Sequence, residues 1–316
     1  MKKALICGIS GQDGTYLAEL LLGKGYGVWG TSRDAQSSAF PNLVRLGILD
    51  QVKTISMAAN DFRSVLQAIN SCVPDEIYNL AGQSSVGLSF EQPAETLESI
   101  ATSTLNILEV IRFLGRPVRF YNAGSSECFG DIQQGAADEE STFHPRSPYA
   151  VAKATAHWLV SNYRDAYGLF ACTGILFNHE SPLRPSRFVT KKIVRGAIDI
   201  SQGKRKQLVL GDISIKRDWG WSPEYVDAMW RMLQTDKPDD YVIATGEANS
   251  LEDFVAAAFA ELHLDWRKYV VKDKKLLRPS EITYNCGNAA KARHELNWQA
   301  EMKMRDVVRE MIRHEL

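Results

Sequence analysis

The sequence predicts an α/β fold, with a doubly wound parallel sheet in residues 1–177 and a smaller lobe in residues 178–316 from which some segments return to the large domain. Three observations predict this. Apolar runs typical of buried parallel strands alternate with helical patterns in the first part of the chain. A glycine-rich turn separates the first apolar run from the first helix. Polar residues follow several predicted strands at their carboxyl ends, where ligands of such sheets bind.

The composition is that of a globular protein, with 316 residues of which 45% are apolar and 24% are charged. Because 37 basic residues nearly balance 38 acidic ones, we infer no basic face for nucleic acid. The five cysteines are far apart and form no CxxC pair, which indicates reduced thiols. Gly8 and Asp13 interrupt the first apolar run, and no run approaches the length of a membrane span. We therefore expect a cytoplasmic protein.

The N-terminal segment has the pattern strand, turn, helix, strand. In order, it contains the strand Ala4–Cys7, the glycines Gly8, Gly11 and Gly14, a helix from Tyr16 to about Lys24, and the strand Val28–Thr31. Such glycines permit a tight turn, close approach of a pyrophosphate and close packing of helix on strand, while amides at the helix N-terminus hold the phosphates. The spacing is GxxGxxG rather than GxGxxG, but its place between a strand and a helix indicates a dinucleotide site.

The residues after the second strand indicate which dinucleotide binds. An NAD site usually has an Asp or Glu about 20 residues after the glycines, where it holds the ribose hydroxyls. Here Ser32 and Arg33 occupy that place, and a hydroxyl with a guanidinium suits a 2′-phosphate. Asp34 comes one residue later, where we expect it to be solvated. The sequence therefore predicts NADP.

The alternation of strands and helices then continues. The further predicted elements are strands at Thr54–Met57, Glu76–Gly82, Val118–Asn122 and Ala171–Leu176, a long helix over roughly 94–114, and an amphipathic helix at Met304–Leu316. Asp61 and Phe62 follow the third strand, where an adenine edge could be held. Asp61 could equally cap the next helix, and both can be true. Gly8, Ala81, Gly124 and Phe177 all fall at carboxyl ends of predicted strands.

Tyr149 and Lys153 place a phenol and an ammonium one helical turn apart, on one face. A phenol with a pKa near ~10 needs a shift of about three units, or roughly 4 kcal/mol, to act as a base at neutral pH. One unit charge at ~4 Å supplies about that much at an effective dielectric constant of ~20, before any desolvation cost. Lys153 alone is barely sufficient, and the positive charge of an oxidised nicotinamide would help.

Ser125 lies just after the fifth predicted strand, within Gly124-Ser125-Ser126-Glu127. A hydroxyl beside a tyrosine–lysine pair can polarise an alcohol or ketone, so these three side chains form a set suited to hydride transfer. With the glycine pattern, the set resembles the extended short-chain dehydrogenase/reductase family, whose large domain is Rossmann-like. No metal site is predicted.

Glu127 indicates which of the possible sugar reactions the protein catalyses. An enzyme that only reduces or epimerises a sugar at C4 has little need of a carboxylate there. A dehydratase needs one, because it must remove a proton from the carbon next to a new ketone. The alternative is a carboxylate that pairs with a nearby lysine or caps a loop.

A basic segment follows residue 177. Its cations are Arg184, Arg187, Lys191, Lys192, Arg195, Lys204, Arg205 and Lys206, with Lys216 and Arg217 soon after. Most such charges lie on a solvated helix face. A diphosphate substrate nevertheless needs several cations in one pocket, so this segment is a candidate substrate lobe.

Several motifs over nearly the whole chain resemble the GDP-mannose 4,6-dehydratase family. They are Gly8–Gly14, Gly124–Glu127, Arg146–Tyr149, Gly174–Pro182 with its sequence FNHESP, Phe188–Thr190, Lys216–Gly220, Ile243–Gly246 and Arg278–Glu281. FNHESP together with KRDWG is highly specific.

The resemblance implies a site in three parts. The implied catalytic residues are Ser125, Glu127, Tyr149 and Lys153. The implied NADP contacts are Gly8, Gly11, Gln12, Asp13, Gly14, Arg33, Asp61, Phe62, Leu80, Ala81, Tyr149, Lys153 and His179, the last near the nicotinamide. The implied GDP-sugar contacts are Ser84, Asn178, Val189, Lys192, Arg217, Arg278 and Glu281.

The implied reaction converts GDP-mannose to GDP-4-keto-6-deoxymannose. Tyr149 takes the C4 hydroxyl proton as hydride passes to NADP, Glu127 removes the C5 proton and helps expel the C6 hydroxyl as water, and hydride returns to C6. The alternatives are a GDP-sugar C4 reductase or epimerase, a 4,6-dehydratase of another GDP-sugar such as a GDP-heptose, or a non-catalytic NADP-sensing protein.

Departures from the family pattern affect specificity and assembly. Ser125 replaces the usual threonine and keeps the hydroxyl, while Pro185 and Trp221-Ser222 replace smaller residues and could alter which sugar fits. Arg33-Asp34 replaces paired arginines, and in the family the loop that follows reaches a neighbouring subunit's cofactor. We therefore expect a homodimer, with a tetramer as the alternative.

Overall fold

The computed structural model describes residues 1–132 and 135–316 and contains a central parallel sheet of seven strands. The strands are β1 Lys3–Cys7, β2 Gly27–Ser32, β3 Lys53–Ser56, β4 Glu76–Asn79, β5 Arg119–Ala123, β6 Ala171–Leu176, β7 Asn178–Glu180, β8 Leu208–Leu210, β9 Lys216–Trp221, β10 Tyr241–Ile243, β11 Ala248–Ser250, β12 Val270–Lys272 and β13 Tyr284–Asn285. The central sheet has the order β3-β2-β1-β4-β5-β6-β10. All its neighbouring strands are parallel. The predicted α/β class is confirmed.

Helices cover both faces of this sheet. They are α1 Gln12–Gly23, α2 Pro41–Arg45, α3 Phe62–Cys72, α4 Val86–Glu91, α5 Pro93–Leu97, α6 Ser103–Leu114, α7 Pro148–Tyr167, α8 Val189–Ser201, α9 Ser222–Met232, α10 Leu251–Ala260, α11 Ala290–Leu296 and α12 Met304–Arg313. A π-helical segment, Glu98–Thr102, joins α5 to α6, and short 3₁₀ turns lie at Leu49–Gln51, Ser126–Phe129, Trp266–Lys268 and Lys274–Leu276.

Alternate residues of β1 point into different cores, as the period of two along a strand requires. Ala4 and Ile6 pack with α1 and α9, whereas Leu5 and Cys7 pack with α3, α6 and α7. All residues of β4 and β6 are buried. This two-sided burial explains why β6 is largely apolar in the sequence, while in β4 the buried polar residues Glu76 and Asn79 form hydrogen bonds with Tyr78 and Thr104.

A third core, separate from the two beside the central sheet, lies under two smaller sheets. β9 pairs with β7 and β13 in parallel and with β11 antiparallel, while β8 pairs with β12. Side chains of α8, α10 and α12, including Ile193, Phe254 and Val308, pack together beneath them. β10, from beyond residue 177, joins the central sheet next to β6.

Several element boundaries differ from the predicted ones. α1 begins at Gln12 rather than Tyr16, because Gly14 lies inside its first turn against the backbone of Gly8 and Ile9. β4 ends at Asn79 rather than Gly82, whose φ of 129° leaves the extended region. The expected helix that carries Tyr149 and Lys153 is α7, which begins at Pro148, where the Ser147 hydroxyl accepts a hydrogen bond from the Ala150 amide (3.1 Å) and caps the helix.

The carboxyl ends of the central strands meet at one edge of the sheet, where Gly8, Ala81, Gly124 and Phe177 follow β1, β4, β5 and β6. All five cysteines are buried free thiols, as predicted. Among the described helices, none combines the length and apolarity needed to span a membrane.

Candidate active site

The glycine loop between β1 and α1 is packed too closely for side chains at two positions. Gly8 has a φ of +85°, and a Cβ there would lie 3.0 Å from the Ala81 backbone. A Cβ on Gly14 would lie 2.4 Å from the Gly8 carbonyl oxygen. Gly11 donates its amide to that same oxygen (3.1 Å). These contacts produce the tight turn at the N-terminus of α1 that a pyrophosphate requires.

A cleft of about 590 Å³ extends from this loop across the sheet edge. The predicted site residues that line it are Gly8, Gly11, Gln12, Asp13, Gly14, Arg33, Leu80, Ala81 and Ser84. Asn60 also lines the cleft. The neighbouring Asp61 caps α3, because its carboxylate accepts a hydrogen bond from the Ser64 amide (2.6 Å), and Phe62 is the first residue of that helix.

Asp13 and His179 bind each other, 166 residues apart in the chain. His179 Nε2 lies 3.0 Å from the Asp13 carboxylate, and Nδ1 lies 2.7 Å from the Phe177 carbonyl oxygen. Since both partners only accept hydrogen bonds, both ring nitrogens must carry protons, and His179 is an imidazolium. Burial lowers the pKa of His179, but the charge and hydrogen bond of Asp13 outweigh burial and raise it.

Further hydrogen bonds tie the glycine loop to β7 and α9. Gln12 donates to the His179 carbonyl oxygen (3.2 Å) and accepts from the Ser181 hydroxyl (2.8 Å). The Ser222 hydroxyl donates to Asp13 (2.8 Å). Burial opposes ionisation of Asp13, yet His179 holds its pKa well below the usual range. Gln12, Asp13, Ser181 and Ser222 therefore form, with His179, a clamp that fixes the loop, which we call the Asp13–His179 clamp.

Tyr149 and Lys153 lie in the first two turns of α7. Lys153 Nζ is 5.8 Å from the centre of the Tyr149 ring and donates to the Ala123 carbonyl oxygen (2.7 Å). Burial lowers the pKa of Lys153 to about 8. Burial also raises the pKa of Tyr149, although a hydrogen bond with Ser125 lowers it in part. In this arrangement the phenol keeps its proton at neutral pH unless another positive charge arrives.

Ser125 and Glu127 belong to the turn after β5. The Ser125 hydroxyl caps that turn by accepting a hydrogen bond from the Glu127 amide (3.3 Å). Burial raises the pKa of Glu127, against the positive charges of Arg217 and Arg278. Glu127 is also near enough to Tyr149 for its charge to raise the pKa of the phenol. Glu127 forms no ion pair with any described residue, so it does not serve there as a lysine's partner.

The predicted substrate residues Arg217, Arg278 and Glu281 form one cluster. Arg217 is buried on β9, and one of its terminal nitrogens lies 3.1 Å from Glu281 Oε1. Arg278 approaches the same oxygen at 3.4 Å. Both guanidinium groups act electrostatically on Glu127. The structure thus brings predicted catalytic and substrate residues from distant parts of the chain into one electrostatic neighbourhood.

The other predicted substrate residues lie on β7, on α8 and in the cleft. Asn178 begins β7, Val189 begins α8, and Lys192 Nζ donates to the Val209 carbonyl oxygen (2.7 Å). The Ser84 hydroxyl accepts a hydrogen bond from Arg187 (3.1 Å).

Two groups of residues line the cleft without having been predicted to do so. One group is Glu95, Glu98, Ser99 and Ser103 on the helical wall, and the other is Arg184, Pro185, Arg187 and Phe188 in the loop before α8. Glu95, Ser99 and Ser103 recur every four residues, and that polar stripe on a predicted helix was the available signal. The Arg184 guanidinium lies 3.7 Å from the centre of the Phe188 ring and lowers the pKa of Tyr149.

Comparison with known proteins gives consistent matches over the whole chain. A family model described as GDP-mannose 4,6 dehydratase matches residues 5–311. GDP-mannose 4,6 dehydratase 2 of Arabidopsis thaliana is 46% identical over 100% of this chain and 87% of its own length. A dTDP-glucose 4,6-dehydratase from Bacillus anthracis, solved with NAD, superposes with a TM-score of 0.86 at 18% identity, covering 99% and 96% of the two chains. RMD from Pseudomonas aeruginosa, solved with NADPH, gives 0.80 at 22% identity, covering 99% and 97%.

Proposed function

Because the chain belongs to the GDP-mannose 4,6-dehydratase family, we propose that it dehydrates GDP-mannose to GDP-4-keto-6-deoxymannose with a resident NADP. The observation that carries the chemical part is the position of Glu127. A carboxylate with a raised pKa lies within electrostatic range of both the Tyr149 phenol and the arginines Arg217 and Arg278. A reductase or epimerase acting at C4 has no use for a base at that point.

The cleft fits a nicotinamide dinucleotide. Side chains are excluded from Gly8 and Gly14 by backbone contacts, so the amides at the N-terminus of α1 are open to a pyrophosphate. Ser32 and Arg33 line the cleft at the end of β2 and would hold a 2′-phosphate, which supports NADP. The two solved structures of the same fold contain NAD and NADPH, which supports the class of cofactor. When bound, NADP supplies an acceptor for hydride from sugar C4 and a donor of hydride to C6.

Tyr149 is the base for the C4 hydroxyl. Its hydrogen bond with Ser125 leaves that hydroxyl beside the same sugar oxygen, where it donates to the carbonyl that forms. The ammonium of Lys153, held by the Ala123 carbonyl, favours the phenolate. Since burial raises the pKa of Tyr149 in the free protein, its deprotonation is timed to the arrival of positive charge in the cleft.

Glu127 carries the elimination. Once C4 is a ketone, the C5 proton is acidic, and the Glu127 carboxylate removes it. The pKa of Glu127, raised by burial, makes it a better base than a solvated glutamate and lets it then give that proton to the C6 hydroxyl, which leaves as water.

Arg217 and Arg278 are the proposed diphosphate contacts. In the free protein both are paired with Glu281, so a diphosphate would take over charges that Glu281 now neutralises. We further propose that Ser84, Asn178, Val189 and Lys192 contact the remainder of the GDP-sugar.

We propose a homodimer as the assembly. Four large apolar side chains on α6 and α7, namely Phe113, Val151, Trp158 and Tyr167, are exposed, with Phe113 at 71% and Trp158 at 60%. Val151 and Trp158, seven residues apart, lie on one face of α7, and we call the exposed face to which they belong the α6–α7 surface. A second copy of the chain would cover these side chains.

The reaction is tested by incubating the purified protein with GDP-mannose and no added cofactor, then measuring the mass of the product by mass spectrometry. We expect a product that has lost one water, with no net change in protein-bound NADPH. Consumption of added NADPH with gain of two hydrogens would identify a reductase instead. An unchanged mass with C4 inverted would identify an epimerase. A GDP-heptose run in parallel tests the choice of sugar.

A further inference from the structure

Two oppositely charged and solvent-exposed side chains face each other at the open edge of the cleft, at the end proposed for the 2′-phosphate. Arg33 follows β2, and Glu95 lies in α5 on the helical wall. An Arg33 terminal nitrogen lies 3.3 Å from Glu95 Oε1, and both residues line the cleft. The guanidinium expected to bind the phosphate is therefore bound to a carboxylate in the free protein.

The two carboxylate oxygens of Glu95 differ in their surroundings. Oε2 is buried by the protein itself, and no described residue donates a hydrogen bond to it. Oε1 lies beside the exposed Arg33 guanidinium, and a carboxylate oxygen there can accept a further hydrogen bond from a ligand hydroxyl. The hydroxyls of an adenosine ribose are such donors, and acidic residues hold them in NAD sites.

Arg33 and Glu95 should affect the binding of NADP and of NAD in opposite ways. A 2′-phosphate needs Arg33 and is repelled by Glu95, whereas a free 2′-hydroxyl can donate to Glu95 and needs no guanidinium. The acidic residue that NAD sites carry after β2 is replaced here by Ser32 and Arg33. Glu95, on the opposite wall of the cleft, provides a carboxylate that can accept a hydrogen bond from a ribose hydroxyl.

We propose that Glu95 is a specificity-determining residue that competes with the 2′-phosphate for Arg33 and accepts a ribose hydroxyl of NAD. The cleft therefore binds both NADP and NAD, and Glu95 reduces the factor by which NADP binds more tightly than NAD. This inference rests on the proposed function, in which a nicotinamide dinucleotide occupies the cleft.

The test measures Kd values for NADP and for NAD by calorimetry on protein stripped of its cofactor. Wild type is compared with Glu95→Gln, Arg33→Gln and Glu98→Gln. Glu98 is a matched control, since it lies one helical turn further on, lines the same cleft and forms no ion pair with a described residue. Thermal unfolding of each variant checks that it is folded.

Glu95→Gln should bind NADP about tenfold more tightly, because one unit charge ~6 Å from a doubly charged phosphate in water corresponds to roughly that factor. It should bind NAD more weakly, so the ratio of the two Kd values changes by about tenfold or more. Glu98→Gln should change that ratio by less than about threefold, because solvent screens a charge that is not paired with Arg33.

The role of Glu95 and the choice of NADP can each fail independently in this experiment. If Arg33→Gln weakens NADP but Glu95→Gln leaves the ratio as in wild type, or changes it no more than Glu98→Gln does, Glu95 has no such role and NADP stands. If wild type binds NAD alone and Arg33→Gln alters neither Kd, the proposed NADP is wrong as well.

Discussion

Glu127 and Tyr149 share one physical condition, since burial disfavours the ionised form of each. Both pKa values are raised, and each group therefore holds a proton more strongly than it would in water. That is the property required of groups that pick up a proton during a reaction and release it later. The same burial lowers the free energy of unfolding, because a buried carboxylate at neutral pH is a destabilising charge.

Replacing Glu127 by Gln should remove the proposed general base and also remove the destabilising buried charge. Turnover of GDP-mannose should fall by about 10²- to 10⁴-fold, the range expected for loss of a general base. The Kd for NADP should stay near that of wild type. Because the pKa of Glu127 is raised on folding, its charge destabilises the protein above that pKa, and the variant should have a higher Tm at neutral pH.

The exposed Glu91, at the end of α4, supplies the control. Glu91→Gln should change neither turnover nor Tm measurably. Wild-type turnover in the Glu127→Gln protein would remove Glu127 from the mechanism.

The dependence of kcat/KM on pH should be bell-shaped. Protonation of Glu127 gives the acid limb, which lies above the usual range of a glutamate because its pKa is raised. Loss of the Lys153 proton gives the alkaline limb near pH 8, since its pKa is lowered to about 8. Lys153→Arg keeps its charge, so its alkaline limb should move upward even if its maximal rate is lower. An unchanged alkaline limb in that variant would assign the limb to another group.

At the scale of elements, the Asp13–His179 clamp joins the N-terminus of α1 to β7 and α9. It consists of an ion pair and several hydrogen bonds that converge on the glycine loop. Tyr225 of α9 stacks on the imidazolium with ring centres 4.6 Å apart. The clamp therefore couples the position of the cofactor loop to elements outside the first βαβ unit.

His179→Gln should remove a stabilising charge pair whose strength depends on pH. The pKa of His179 is raised, so its contribution is complete below its unfolded pKa, near ~6.5, and is lost as the pH rises through the higher folded value. Asp13 has a lowered pKa, so its contribution is lost only in strong acid. The Tm difference between wild type and variant should shrink as the pH is raised above neutral, and the variant should bind NADP more weakly.

His157 is the matched control. It is also buried, but burial lowers its pKa, so its protonation destabilises the fold and the sign is reversed. The Tm difference between wild type and His157→Gln should therefore grow as the pH rises from acid to neutral. If His179→Gln gave the same pH dependence as His157→Gln, the imidazolium assignment would be wrong.

Local spacing explains what the sequence could predict at this scale. Tyr149 and Lys153 are one turn apart, and Ser125 and Glu127 follow a strand directly, so short-range rules were enough to propose them. Asp13 and His179 were predicted separately as cofactor contacts. Their contact with each other depends on how β7 is placed against the N-terminus of α1, which no local pattern encodes. The early start of α1 is not predicted because glycine is a weak helix former, and the close packing that requires glycine at position 14 involves Gly8 and Ile9, outside the helix.

In the whole molecule, the cores serve different parts of the proposed reaction. The two cores beside the central sheet support the cleft for the dinucleotide, and the third core carries α8 and β9, with the cations proposed for the GDP-sugar. Glu127 and Arg217 come from these two parts and interact electrostatically. The alternating strands predicted the first part, but β7 to β13 are two to six residues long and gave no comparable pattern.

A charge placed on the α6–α7 surface should disrupt the proposed homodimer. Trp158→Glu puts a carboxylate where a second copy would bury an indole, so light scattering should show a shift toward monomer at micromolar concentration. Val271→Glu, at a similarly exposed apolar residue on β12, should leave the assembly unchanged. A Trp158→Glu protein with the same mass in solution as wild type would place the interface elsewhere or show that none exists.

In the proposed reaction, one pocket moves a hydride within a single sugar while water leaves. The decisive experiment incubates the protein, in ordinary water and without added cofactor, with GDP-mannose carrying deuterium at C4 of the sugar. We expect a product lacking one water whose C6 methyl group keeps the deuterium. A dehydrated product with the deuterium lost to solvent, or a product that retains its water, would contradict it.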